Sequence, residues 1–331
     1  MNLAIFVALI TGAGAFFSFR APTAEEMVAS FAEAQRFYAE GAYDQAIERY
    51  VQVAKVHSRV LDAAVIQVEV GEDSFPVQEA ALYQTGNAHS KLFADYRRFA
   101  EGGSSDDRRE YRVRADSALV SAVRAFTQVI NGAANPVLRG QAHGRLIELY
   151  FDAERYGEVI QAARRLIKVY GSGAYALIGY YNLGWAHFQR GEYVEAIASF
   201  EELVRYYPSG YRTDRSLFQI GESHLAMDQC QSAIISYKQL VDRQRIDELD
   251  ADQLLQMKRE KLAGLVDETA LELAAKAEIR SGTCYGKLQR FDQGVESFRR
   301  VIELFASEPD ITNPIAMSFK GPMFSSDFKR S

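Results

Sequence analysis

Between residues 140 and 245 the apolar positions fall at helical spacing, and the pattern then repeats itself. Leu146, Tyr150, Tyr156, Val159 and Leu166 return 37 residues later as Leu183, His187, Tyr193, Ala196 and Leu203. A third copy runs Ile220, His224, Ala233 and Leu240. Apolar residues three and four apart put one stripe on each helix. A fixed period in the range of roughly 20–50 residues is the mark of stacked helix pairs. Proline, with 7 residues in the whole chain, is nearly absent inside these blocks, as helices require.

The clearest block spans 177–208. Tyr180, Leu183, Gly184 and His187 lie on its first helix, and Ala196, Phe200 and Leu203 on its second. Gly184 and Ala196 are small where two helices cross closely, and Phe200 fills the space between them. Gly191-Glu192-Tyr193 supplies the turn, where glycine adopts positive φ cheaply. Pro208 closes the block. The next carries Leu217, Ile220, Gly221, His224, Ala233, Tyr237 and Leu240 at matching places. The preceding one diverges, with Val159 for the small alanine and Ala163 for the aromatic residue. Earlier blocks join Phe37, Gly41, Tyr43, Ala46 and Tyr50, then Leu82, Gly86 and His89 with Ala122, Phe126 and Val129. A last one has Gly282, Tyr285, Phe291 and Phe298, with Gly294 where alanine is usual.

This succession of a large residue, Leu-Gly, Ala, an aromatic residue, an apolar residue and Pro resembles the tetratricopeptide repeat. The resemblance implies an all-α, right-handed α-solenoid of about six helix pairs, near 27–55, 79–135, 140–173, 177–210, 214–242 and 275–306, with inserted loops and an extra helix. It implies a protein or peptide partner rather than catalysis. The 37-residue spacing and the run Tyr206–Tyr211 are similar in style to bacterial envelope repeat proteins. Two such families are the Tol-Pal-associated cell-division coordinator and the repeat lipoprotein of the outer-membrane β-barrel assembly machine.

The N-terminus bears on location. Residues 3–19 form an apolar run that is short for a membrane span, which needs about 20 residues. Ala13-Gly14-Ala15 has the form of a signal-peptidase site, although no Lys or Arg precedes the run. Residues 1–24 therefore read as a signal peptide or membrane anchor, giving a periplasmic or envelope-associated protein with membrane association through this segment. A buried first helix would instead make the protein cytoplasmic.

Three insertions interrupt the period. The first, 55–76, holds a β-branched stretch, Ala63 to Val70, read as a short strand or an extended loop. The second, 96–117, reads as a polar loop between lengthened helices. The third, 242–267, reads as an extra charged helix with an apolar stripe of Leu249, Leu254, Leu255, Met257, Leu262, Leu265 and Val266. Residues 25–308 form the solenoid and 309–331 an extended or mobile tail.

Composition adds little chemistry. A net charge of −6 gives no reason to expect nucleic-acid binding. Two cysteines, Cys230 and Cys284, are too few for a disulfide framework and read as unpaired, partly buried thiols, with one bridge between neighbouring units as the alternative in an exported protein. His89, His187 and His224 share one repeat position, and His143 takes the place that Tyr180 fills a unit later. Equivalent positions on stacked pairs lie about 10 Å apart, too far to share a metal ion. Arg97, Arg98, Arg108, Arg109, Arg112 and Arg114 are matched by neighbouring Asp and Glu, which reads as a self-paired surface. No catalytic, metal or cofactor site is expected, and the protein reads as no enzyme.

The first helices of such pairs line a concave groove. Tyr181, Trp185 and Phe188 form a second aromatic row there, with Glu148 and Phe151 behind it and Arg215, Phe218 and Glu222 ahead. Exposed aromatics flanked by charge suit a peptide-binding hot spot. The alternative is that the row packs internally. The expected function is a non-catalytic scaffold or adaptor of the bacterial cell envelope; the alternative is a fixed structural subunit of a multiprotein envelope assembly.

Overall fold

The computed structural model describes residues 22–55, 66–244 and 270–305, together with Gln256 and Arg259, both helical. The leader, His57, residues 63–65, most of the expected extra helix and the tail lie outside the described residues. Among the described residues the helices are α1 (Ala24–Ala39), α2 (Tyr43–Ala54), α3 (Val77–Gly102), α4 (Ser105–Gly132), α5 (Pro136–Asp152), α6 (Tyr156–Tyr170), α7 (Ala174–Gln189), α8 (Tyr193–Tyr206), α9 (Tyr211–Ala226), α10 (Cys230–Gln244), α11 (Ala270–Lys287) and α12 (Phe291–Phe305). They build a helical-repeat solenoid fold. The chain divides into two compact units, 1–88 and 89–331.

In the first unit, Thr23 starts α1 with a capping box: its side chain accepts from the Glu26 N–H, and Glu26 accepts from the Thr23 N–H. Met27, Phe31 and Ala34 of α1 pack with Ala46, Tyr50 and Val53 of α2 to make a closed core. The Tyr50 hydroxyl donates to Gln35 Oε1 at 2.9 Å, and Gln84 at the start of α3 donates to the same oxygen at 3.2 Å. Between α2 and α3 sits an antiparallel hairpin, β1 (Gln67–Val70) and β2 (Asp73–Pro76). Val68 faces Phe75 and both are buried, so one side of the ribbon has a core to cover. The β-branched stretch is thus a strand from Gln67, with the chain reversing at Gly71 (φ +67°).

The second unit holds the repeats. Its first surprise is the insertion at 96–117, which is helix almost throughout rather than loop. Helix α3 runs on to Gly102, and α4 starts at Ser105, so only Gly103 and Ser104 turn the chain. Two local causes act together. Ser104 caps α4 in a box with Asp107. Tyr111 stacks on Tyr96 at 6.1 Å and meets Phe99 tilted at 5.3 Å, with the Arg114 guanidinium over Tyr96 and Tyr111. Charge periodicity there reported solvent exposure, not absence of helix. Arg98 pairs with Asp95 at 2.9 Å and Arg114 with Glu110 at 2.5 Å, while Arg97 reaches Glu154 at 2.9 Å.

From α5 onward each helix packs on the one before it, α11 against α10 included. One contact recurs inside the pairs. A Cβ built on Gly184 would lie 2.6 Å from the Phe200 ring, one on Gly221 2.4 Å from Tyr237, and one on Gly282 2.7 Å from Phe298. These glycines let each ring press on the partner helix. The divergent pair α5–α6 exchanges the sizes: Ile147 stands at the glycine position and Ala163 at the ring position, both fully buried in one cluster. Total volume at the crossing is kept, which is what close packing demands. In the last pair Gly294 brings α12 so near that its Cβ would meet the Gly282 carbonyl oxygen at 3.2 Å.

The turns recur as well. In five pairs the second residue after the first helix is left-handed: Gly41 (φ +77°), Glu154 (+57°), Gly191 (+74°), Asp228 (+57°) and Gln289 (+59°). The next N–H reaches back five residues, as from Glu192 to the His187 carbonyl at 2.9 Å. Helix C-termini close this way when orphan carbonyls must be satisfied.

Candidate functional site

The residues expected to line a groove divide into two sets. Tyr181, Trp185, Arg215 and Phe218 are buried, at 6–8% exposure. Glu148, Phe151, Phe188 and Glu222 are half-buried. The expectation of an exposed aromatic row is therefore corrected. Trp185 meets Tyr181, Phe188 and Phe200 at 6.0–6.1 Å, all edge-on, and Tyr181 and Trp185 belong to the same core cluster as Phe200, Phe218 and Tyr237. The cause is the next pair. Once α9 lies against α7 and α8, the row on α7 is covered, and Arg212 lies over the Tyr181 ring at 5.8 Å. Arg215 donates to the Tyr211 hydroxyl at 2.9 Å.

Glu222 has a structural bond of its own. Arg280 of α11 grips it with both nitrogens, Nε at 3.0 Å and Nη2 at 3.1 Å, and the Tyr237 hydroxyl donates to it as well. Burial, then the Glu222 charge, pushes the Tyr237 phenol far above its usual range, so it stays a donor. Glu148 pairs with Arg145 at 2.8 Å, and Phe151 lies edge-on to Tyr156 at 5.4 Å. What remains accessible of the expected set is thus a margin of Glu148, Phe151 and Phe188.

The histidines serve the turns and the core. His187 Nδ1 lies 2.6 Å from Glu192, and His224 Nδ1 lies 2.8 Å from Gln229, the same contact one repeat apart. His143 is buried with Nδ1 lacking a hydrogen bond among the described residues, and its ring meets Tyr170 edge-on at 6.1 Å. Burial, then the nearby Arg165 charge, pushes its pKa down to about 4, so it is neutral. Cys230 and Cys284 are buried free thiols in the apolar cluster. Burial, with a hydrogen bond to Cys230, pushes the Cys284 thiol up to about 12, the opposite of an activated nucleophile. Among the described residues no group of three His, Cys, Asp or Glu side chains could hold a metal ion, and no helix is long and apolar enough to cross a membrane.

Sequence reading missed two clefts on the side of the second helices. One, of about 430 Å³, is walled by α8 and α10 over α9 and includes Glu201, Ile220, His224 and Gln239. The other, of about 460 Å³, is walled by α4 and α6 over α5 and includes Thr127, Leu146, Tyr150 and Arg165. The second set lies 74 residues before the first, position for position. They are the same gap between successive second helices, two repeats apart. The 37-residue period contained that signal, but periodicity alone cannot say which gaps between helices stay open.

Residues 178–209 and 215–244 each match the tetratricopeptide repeat, and these fall on α7–α8 and α9–α10. The α7–α8 and α9–α10 pairs are thus tetratricopeptide repeats. Repeats of this kind support a protein–protein interaction scaffold. Solved structures share the fold. BtubC (BKLC) from P. vanneervenii is 14% identical with a TM-score of 0.50, the alignment covering 89% of this chain and 94% of that one. RapI, crystallised in its apo form, is 11% identical with a TM-score of 0.44, covering 84% and 97%. MamA is 16% identical with a TM-score of 0.40, covering 62% and 97%. No curated protein matches the chain.

Proposed function

We propose that the chain is a non-catalytic scaffold of the bacterial cell envelope that holds a protein or peptide partner along its first helices. The observation that carries this is the split within the expected groove set. Tyr181, Trp185 and Phe218 are spent on rigidity, while Glu148, Phe151 and Phe188 keep accessible surface on adjacent first helices. A rigid floor with a partly open aromatic and acidic margin lowers the ordering cost of binding. His187 and His224 close turns and the two thiols lie in the core, which supports structural roles for them.

The test uses the full chain as bait in its source cells. Glu148→Lys should lose the partner that wild type retains, while Val194→Asp, at a 66% exposed position on α8, should keep it. The reverse pattern would move the binding surface to the second helices and their clefts. Export is read from residues 1–24. N-terminal sequencing of the mature protein should begin after Ala15; an intact Met1 with cytoplasmic fractionation would remove the envelope from the proposal.

A further inference from the structure

Helix α12 ends the described repeats with an apolar face turned outward. Phe291, Val295, Phe298 and Ile302 are 65, 56, 41 and 66% exposed, and their spacing puts them on one stripe. The preceding pair shows what this stripe is. Cys230, Ile234 and Tyr237 hold the same repeat positions on α10 as Phe291, Val295 and Phe298 on α12, and are 5, 2 and 0% exposed because α11 lies on them. The α12 face is thus a repeat-to-repeat contact surface with no covering helix among the described residues. A stacked array needs a polar outer face at its ends, and a patch of four large apolar side chains is an association hazard.

We propose that residues 306–331 of this same chain cover that face as an extended strip led by Ile315, Met317 and Phe319. These three alternate along the sequence with Ala316 and Ser318, so an extended segment presents all three to one side. Pro309 and Pro314 oppose continuation of the α12 helix. The dimensions agree. Ten residue-to-residue steps lead from Phe305 to Ile315, enough to span about 33 Å, against about 22 Å for the length of α12. The strip from Ile315 to Phe319 covers about 13 Å, and the stripe from Val295 to Ile302 covers about 10 Å. A tethered segment competes at an effective concentration near millimolar, which favours it over a second copy at ordinary concentration.

The test compares the full chain with a variant carrying Ile315→Asp, Met317→Asp and Phe319→Asp. Hydrogen exchange of the α12 amides should quicken by about tenfold or more in the variant, with α7–α9 unchanged, and the variant should bind a hydrophobic dye that wild type does not. The reciprocal change, Ile302→Asp, should quicken tryptic cleavage at Lys320 and Lys329. Equal exchange and equal dye binding in wild type and the tail variant would overturn the proposal. So would a concentration-dependent dimer that protects α12 in both, since a second copy would then be the cover.

Discussion

Two successive seams of the second unit are held by different physics. Where α9 and α10 join α7 and α8, the rings of both pairs share one apolar cluster: Tyr181, Trp185 and Phe200 meet edge-on at 6.1–6.4 Å within α7–α8, and Phe218 lies on Tyr237 at 5.6 Å within α9–α10. Where α11 joins α9 and α10, polar ties are added: Arg280 on Glu222, Lys287 on Asp228 at 2.9 Å and Arg290 on Gln231 at 3.0 Å. The first seam joins helices linked by a short turn. The second joins helices separated by residues 245–269. A short turn sets the stacking register by itself, so undirected apolar burial suffices. After a long interruption the chain no longer dictates register, and a two-pronged guanidinium–carboxylate contact supplies direction.

The largest effect should come from the aromatic seam. Trp185→Ala should cost about 3–5 kcal/mol, read as a lowered urea midpoint. An unchanged midpoint with lost partner binding would return Trp185 to an open groove. Gly184→Leu should cost about 3 kcal/mol, because its side chain would occupy the space of the Phe200 ring. An unaltered melting temperature would contradict the crossing geometry. The ionic seam should be weaker. Glu222→Ala should cost about 2 kcal/mol, since its partner Arg280 keeps 27% exposure. Its effect should shrink in high salt while that of Trp185→Ala does not; equal salt dependence would erase the contrast between the seams.

Two smaller tests act in the α5–α6 pair, away from both. Buried His143 titrates near 4 in the fold against 6.5 for a free histidine. The unfolded chain therefore takes up the proton first, and stability is full above pH 6.5 and falls as pH drops from 6.5 to 4. His143→Phe should flatten that part of the pH–stability curve; an unchanged slope would mean that other groups set it. Glu154→Gly should stabilise by about 0.5–1 kcal/mol, because a left-handed φ of +57° costs a residue with a Cβ more than glycine. A loss instead would show that its bond to Arg97 outweighs backbone relief.

The sequence made the helix pairs, their turns and their small-to-large crossings legible. Gly184 with Phe200 and Gly221 with Tyr237 touch as their spacing implied. The exchange of sizes between Ile147 and Ala163 hid inside what looked like divergence, because sequence shows two departures and only packing shows that they compensate. The candidate groove was legible in position and misread in exposure. Periodicity states which residues share a face of a helix. It does not state whether a neighbour covers that face, and for Tyr181, Trp185 and Phe218 a neighbour does.

By itself, then, the sequence determined what each helix is made of: local spacing fixes the stripe, glycine fixes where a ring can approach, and a left-handed residue fixes where the chain reverses. Only the tertiary structure decided what each stripe is for. It joined Glu222 to Arg280 across 58 residues, closed the aromatic row on α7, and brought no helix among the described residues onto the equivalent stripe of α12. Burial is set by whichever distant segment arrives, and no local period contains that information.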